Sequence, residues 1–262
     1  MKDAAFDPSE RVAQYVSALQ YYLQALPDGV RIVFAENSAS MALVQQRLAD
    51  DERIEWIDAT DLDAPYHYDQ QRGKGYNEWL LMHHAVTHSA VLSEAGCFFK
   101  VTGRLRVLNI AALLHECMQR DRQLRFLGDC KDHGIYDALH IHVNGHSGEC
   151  RYFFSTTEFF VSEIFPHYDL LYDYDTKPAG MEDVYPSQCL AEDVMLQVCR
   201  RVRQLPHCYD RFRTQARLSG RGAHNLGPGS KFFTSTDNDS FILRFKSSLR
   251  QLLRWILPWW RC

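Results

Sequence analysis

The sequence has no run of about 18 uncharged apolar residues, so no membrane-spanning helix is expected. It has no excess of positive charge: 29 Lys+Arg stand against 33 Asp+Glu, a formal net charge of -4. That balance argues against a surface built to bind nucleic acid. Eight cysteines stand at 97, 117, 130, 150, 189, 199, 208 and 262, yet no two are spaced C-x-x-C and none belongs to a zinc-finger pattern. Such scattered spacing in a 262-residue chain does not suit a disulfide framework, so reduced thiols in a cytoplasmic compartment are expected. The stretch from Met1 to Pro8 lacks the apolar core of a signal peptide. There is no internal repeat and no interdomain linker.

What remains is a globular composition. Apolar residues make up 46%, aromatic residues 13% and charged residues 24%, which excludes disordered and low-complexity classes and supplies a core. Residues 9–26 carry Val12, Tyr15, Val16, Leu19, Tyr22, Leu23 and Leu26 at helical spacing, stopped by Pro27-Asp28-Gly29. Val30 to Ala35 and Ile54 to Ile57 read as buried strands around a helix at 40–49, a βαβ unit with parallel strands. Further helices are expected at about 76–92, 105–118, 157–165 and 187–203. Further strands are expected at 97–101, 123–127, 138–143 and 151–154. The pattern predicts one α/β, Rossmann-like domain over 1–240, with a mixed, mostly parallel central sheet and helices on both faces.

In open parallel sheets, ligands sit beyond the carboxyl ends of the strands. Three polar clusters fall there: Glu36-Asn37-Ser38, Gly73-Lys74-Gly75, and Lys100 with Arg104. Each has a plainer reading. Asn37 and Ser38 suit a helix cap, the two glycines suit a turn, and Lys100 suits an internal salt bridge.

The segments IVFAENSAS (32–40), RGKGYNEWLLMHHAV (72–86) and GCFFKVTGR (96–104) resemble the nucleotide-sugar-binding half of GT-A-fold glycosyltransferases of bacterial lipopolysaccharide and capsule assembly. The likeness covers roughly residues 30–110. It implies a nucleotide-sugar donor and a hydroxyl of a glycan or lipid-linked glycan as acceptor. Glu36, Asn37 and Ser38 would meet the nucleoside. Gly73, Lys74, Gly75, Asn77 and Arg104 would lie around the diphosphate, with Lys100 at the leaving group or donor sugar. The Asp-x-Asp that many of these enzymes use to hold a metal has no counterpart in Phe99 to Arg104, where cations stand instead. No cofactor and no metal are therefore expected, because two cations can stabilise a departing diphosphate.

The acceptor hydroxyl needs a base if the reaction inverts. Glu192-Asp193, on the expected 187–203 helix, resembles the Glu-Asp helix motif that supplies it. Asp193 ranks first, Glu192 second, and Asp183 of the earlier Glu182-Asp183 pair third; either pair also suits a solvated helix N-terminus. The Gly- and Arg-rich stretch 217–231 resembles a loop that closes over the donor, with Arg217 and Arg221 on the phosphates; a plain surface loop is the rival reading. His83-His84, His140-x-His142 and His146 have no supporting carboxylate or cysteine at ligand spacing, so no metal site is expected there.

Residues 241–262 differ in character. They carry Arg244, Lys246, Arg250, Arg254 and Arg261 and no acidic residue, leaving -4 - 5 = -9 on the remainder. On a helical wheel the apolar residues take one side and the cations the other, and Pro258-Trp259-Trp260 closes the pattern. This is the signature of a basic amphipathic helix lying on an anionic membrane surface, here the inner face. A helix docked on the body or on a second subunit is the competing reading. Two other readings of the whole chain stay open: another nucleotide-dependent transferase, such as a nucleotidyltransferase, and a non-catalytic assembly partner with the same fold.

Overall fold

The computed structural model describes residues 8–48, 51–132, 146–172 and 190–219, together with Leu252 and Ile256. Val12, Tyr15, Ala18, Leu19 and Tyr22 recur every three or four residues and are all buried, which fixes helix α1 (Pro8–Ala25) on the body. Strand β1 (Ile32–Glu36), helix α2 (Ser40–Leu48) and strand β2 (Ile54–Asp58) form the expected βαβ unit, with β1 and β2 parallel and Phe34 opposite Trp56. Val12, Tyr15, Leu19, Phe34, Val44 and Ile54 close a small core between them.

Helix α3 (Gly73–His88) begins earlier than the periodicity predicts and stops at His88; helix α4 (Ala90–Ala95) restarts after Ser89. The break has a local cause. Ser89 Oγ accepts from Leu92 N at 2.9 Å, while the Glu55 carboxylate accepts from Ser89 Oγ and from the backbone N–H groups of Ala90 and Val91. Together they satisfy the free amides of a new helix start. Gly96, at φ 65°, ends α4 in the left-handed region.

Strand β3 (Cys97–Val101) follows, then a short strand β4 (Arg106–Val107) where a helix was expected to begin. Leu105 and Val107 are both buried, and Asn109 donates to Gln215 O and accepts from Arg217 N, so helix α5 (Ile110–Arg120) starts only beyond them. Strands β5 (Phe126–Leu127), β6 (Cys130–Asp132), β7 (His146–Gly148) and β8 (Tyr152–Thr156) come next. The expected helix after β8 is a composite: an α turn Thr157–Phe159, a π turn Phe160–Ile164 and a 3-10 stretch Phe165–Leu170, with Pro166 at its start. Helix α6 (Ala191–Val202) and strands β9 (Cys208–Tyr209) and β10 (Leu218–Ser219) complete the order. The strand expected at 138–143 lies outside the described residues.

The largest described sheet runs β3-β8-β5-β9. Helices cover both faces. Ala18, Tyr22, Ile110, Leu113 and Cys117 of α1 and α5 bury one side. Trp79 and Leu80 of α3, Phe160 and Phe165, and Val194 to Cys199 of α6 bury the other. The mixed α/β architecture is thus present, but the predominance of parallel pairing is not. Among the described residues two of six strand pairings are parallel, because β8 runs against both β3 and β5. Strand β7 presses directly on α6: a Cβ on Gly148 would stand 2.4 Å from Leu196 N, so only glycine fits. None of Cys97, Cys117, Cys130, Cys150, Cys199 and Cys208 is in a disulfide. Among the described residues no helix is long and apolar enough to cross a membrane.

Candidate functional site

Strand β3 alternates its side chains. Phe98 and Lys100 face α3, while Phe99 and Val101 face the core under α1 and α5. That alternation drives a lysine ammonium into a half-buried setting where it must find an anion. Lys100 Nζ donates to Glu78 Oε1 at 2.6 Å and to Thr102 Oγ1 at 3.0 Å, and also to the Cys150 carbonyl. Thr102 Oγ1 in turn donates to the same Glu78 oxygen at 3.2 Å. The internal salt bridge is therefore present, and its partner is the last residue of the RGKGYNE segment.

A second ion pair lies alongside. Thr102 N donates to Arg151 O at 2.9 Å, which lays the Glu149-Cys150-Arg151 stretch against the end of β3. Arg151 Nε donates to Glu149 Oε1 at 2.7 Å. Burial pushes the Glu149 carboxyl up, but the Arg151 charge and hydrogen bonds outweigh it and hold that carboxyl below its ordinary range. Burial raises the Cys150 thiol well above its usual value, and the charge of Glu192 adds to that rise. Glu192 thus belongs to this neighbourhood, which holds Glu78, Lys100, Glu149, Arg151 and Glu192 around one peptide.

Asp193 does something different. Its Oδ2 accepts from the Leu190 backbone N–H at 3.1 Å, closing the first turn of α6. That is a helix-end role, the plainer of its two readings.

The remaining expected residues divide between elements. Gly73, Lys74 and Gly75 form the first turn of α3 instead of a free loop, with Gly73 at φ 88°. Lys74 stands four residues before Glu78 and so shares its face of the helix. Asn77 is spent on bracing: it accepts from Asp69 N at 3.0 Å and donates to Asp69 O and Gly73 O. Glu36 is only 3% exposed, accepting from Arg11 Nη2 at 3.2 Å and from Ser38 Oγ at 2.6 Å. Burial, with Glu36 beside it, pushes the Tyr15 hydroxyl up to about 12. Asn37 lies beside Tyr68, whose hydroxyl donates to Ala59 O at 2.7 Å. Arg104 is half-buried in the turn after β3. Arg217 is exposed next to β4, near Arg106 and Tyr21. Asp183, Arg221, His140 and His142 lie outside the described residues.

A cleft of about 990 Å³ opens between β1 and β3, which share no ladder among the described residues. Glu78, Lys100, Thr102 and Gly103 line its polar end, and Leu19, Tyr22, Phe34 and Ile110 are among its apolar walls. Its size is at the upper end for small-molecule sites. The structure therefore sets Lys100 in the wall of the cleft; Glu192, the second-ranked base, lies near Cys150 and Arg151 and is not among the residues that line it. It adds Glu78, Thr102, Glu149 and Arg151, which that reading missed. Glu78 had one signal, since a buried lysine needs a carboxylate; Glu149 and Arg151 had none, because only the fold lays them beside β3.

Two of the histidine groups are accounted for structurally. The His83 ring stacks on Phe165 at 3.8 Å between centroids. His146 Nδ1 lies 2.9 Å from Asp132 Oδ1, in a cage where Arg200 and Arg203 hold the same carboxylate at 2.7 and 2.6 Å. Comparison with protein-family models, with curated proteins and with solved structures gives no match, so the site must be read from its own chemistry.

Proposed function

We propose that this chain is a glycosyltransferase that moves a sugar from a nucleotide-sugar donor to a hydroxyl of a bacterial surface glycan. The observation that carries the reading is the cluster at the end of β3, where Lys100, held by Glu78 and Thr102, stands with both of them in the wall of a ligand-sized cleft. Lys100, oriented by Glu78 and Thr102, meets the donor sugar or leaving oxygen. Lys74, one helical turn from Glu78, and Arg104 take the diphosphate. Glu192 is the better placed of the two α6 carboxylates to receive the acceptor proton, because Asp193 is occupied at the helix end. No cofactor is invoked: the cations supply the charge stabilisation that a metal would give.

The acceptor is lipid-linked, and the tail 241–262 holds the protein at the inner face of an anionic membrane. Leu252 and Ile256, helical and one turn apart, are 50% and 51% exposed. Paired exposed aliphatics on a strongly basic segment suit a lipid surface. The test of the catalytic reading is nucleotide release from a panel of nucleotide sugars, with and without EDTA. Turnover that survives EDTA and is lost in Glu192→Gln supports it. Absence of binding and turnover across the panel overturns it.

A further inference from the structure

Helix α3 carries two histidines that the Lys100 site does not use. His84 and His88 stand four residues apart and project from one face, their ring centroids 4.2 Å apart and their planes 35° from parallel. Asp63, from the connection between β2 and α3, reaches the same face, with Oδ2 2.5 Å from His88 Nε2. Each of the three presents one ligand atom, and these atoms all lie within 4.8 Å of one another. Asp58, at the end of β2, adds a second negative charge near His84. The neighbouring His83 turns the other way, onto Phe165.

Two imidazoles one helical turn apart and a carboxylate from another element form a donor set for a divalent ion of the zinc type. Such ions take His N and Asp O at about 2.0–2.2 Å, which puts tetrahedral donors roughly 3.4 Å apart. Reaching that spacing requires Asp63 and His88 to part by about 1 Å, and His84, within 4.8 Å of both, to close by no more than about 1.4 Å. Asp63 and His88 are exposed and His84 is half-buried, so side-chain rotation suffices. We propose that Asp63, His84 and His88 bind a divalent transition-metal ion, with water at the open position. The ion would clasp the 59–72 connection onto α3. That connection leads through Asp69, which Asn77 braces, to the first turn of α3, so the clasp would stiffen the approach to Lys74. The site is separate from the Lys100 cluster and does not depend on the proposed transferase reaction.

The test uses the full chain, stripped with chelator and then titrated with CoCl2 or ZnCl2. The readouts are the visible absorption of bound Co2+ and calorimetric stoichiometry. One ion per chain is expected. His84→Ala and His88→Ala should each abolish the site. Asp63→Asn should weaken it by more than the about 10–100-fold that outer-shell changes cost. A His140→Ala/His142→Ala double variant should keep it. All three ligand positions lie at or near the surface, and unchanged circular dichroism of the metal-free variants would establish that they fold. No stoichiometric binding, equal binding in all three ligand variants, or loss only in the His140/His142 variant would overturn the proposal.

Discussion

Lys100 and Glu78 meet at 2.6 Å across 22 residues of sequence, with the lysine side chain 8% exposed and the glutamate 34%. The pair is asymmetric. The lysine side chain is enclosed, while the glutamate still reaches water. Glu78→Gln keeps a hydrogen-bond acceptor but removes the carboxylate in direct contact with the ammonium, and it should destabilise the fold by about 1–3 kcal/mol. Lys100→Met, which removes the charge and keeps the stem, should cost less. Denaturant unfolding of both variants checks the order, and a cheaper Glu78→Gln would contradict it. In the proposed reaction both variants should lose about 10²–10³-fold in turnover.

Glu192 and Asp193 are adjacent but not equivalent. Asp193→Asn loses part of a helix-end interaction and should cost about 0.5–1 kcal/mol of stability with little change in turnover. Glu192→Gln should leave stability and donor binding intact and reduce turnover about 10²–10⁴-fold. Steady-state kinetics and thermal unfolding of the two variants separate the roles. The reverse pattern would return the base to Asp193.

Asp132 contributes to the acid sensitivity of the fold. The hydrogen bond from Arg200 acts most strongly on it; burial opposes, and Arg203 and His146 add, so the carboxyl sits well below its ordinary range. A depressed folded-state value means the stabilisation is fully present above the unfolded value of about 3.9 and is lost as pH falls towards the folded value. Wild type should therefore exceed Asp132→Asn in stability at pH values above about 4. That margin should shrink steadily below about pH 4. Urea midpoints measured against pH test this, and a margin independent of pH down to about 2.5, more than one unit below the unfolded value, would count against it.

These residues also mark how far the sequence was legible. The βαβ unit was readable because β1 and β2 are short apolar runs bounded by polar turns, and local pattern decides such elements. Helix α6 was readable because its apolar residues fall on one face. Strands β4, β9 and β10 are two residues long and β6 and β7 three, so their pairing, not their pattern, makes them strands. More antiparallel material was expected in the second half of the chain, but that β8 lies between β3 and β5 and runs against both is set by pairing and was not legible, so the sheet was expected to be mostly parallel. At the site, Lys100 could be singled out by residue type and position, and the Glu192-Asp193 pair, with Asp193 ranked first, by its resemblance to a motif. The choice between Glu192 and Asp193 could not, because it depends on helix phase. With Leu190 as the N-cap, Asp193 is the third helical residue and can reach back to the Leu190 N–H, whereas Glu192 is the second and does not make that bond.

The membrane reading rests on the charge of 241–262 and on the two exposed aliphatics Leu252 and Ile256. Each basic residue near an anionic bilayer contributes about 1 kcal/mol, so five can hold the protein at a surface when an apolar face also enters the headgroup layer. Full-length protein should pellet with vesicles containing anionic lipid and remain in solution with neutral ones. Binding should weaken as salt rises, since exposed charges are screened beyond about 10 Å at 0.1 M. Leu252→Asp/Ile256→Asp removes the apolar contribution and places two negative charges against the lipid, so it should release the protein even at low salt. Arg250→Gln/Arg254→Gln should weaken binding less and flatten its salt dependence. If the aspartate pair instead lowers the unfolding temperature and leaves pelleting unchanged, the tail packs against protein, either the body of this chain or a second copy, and the lipid surface is the wrong partner.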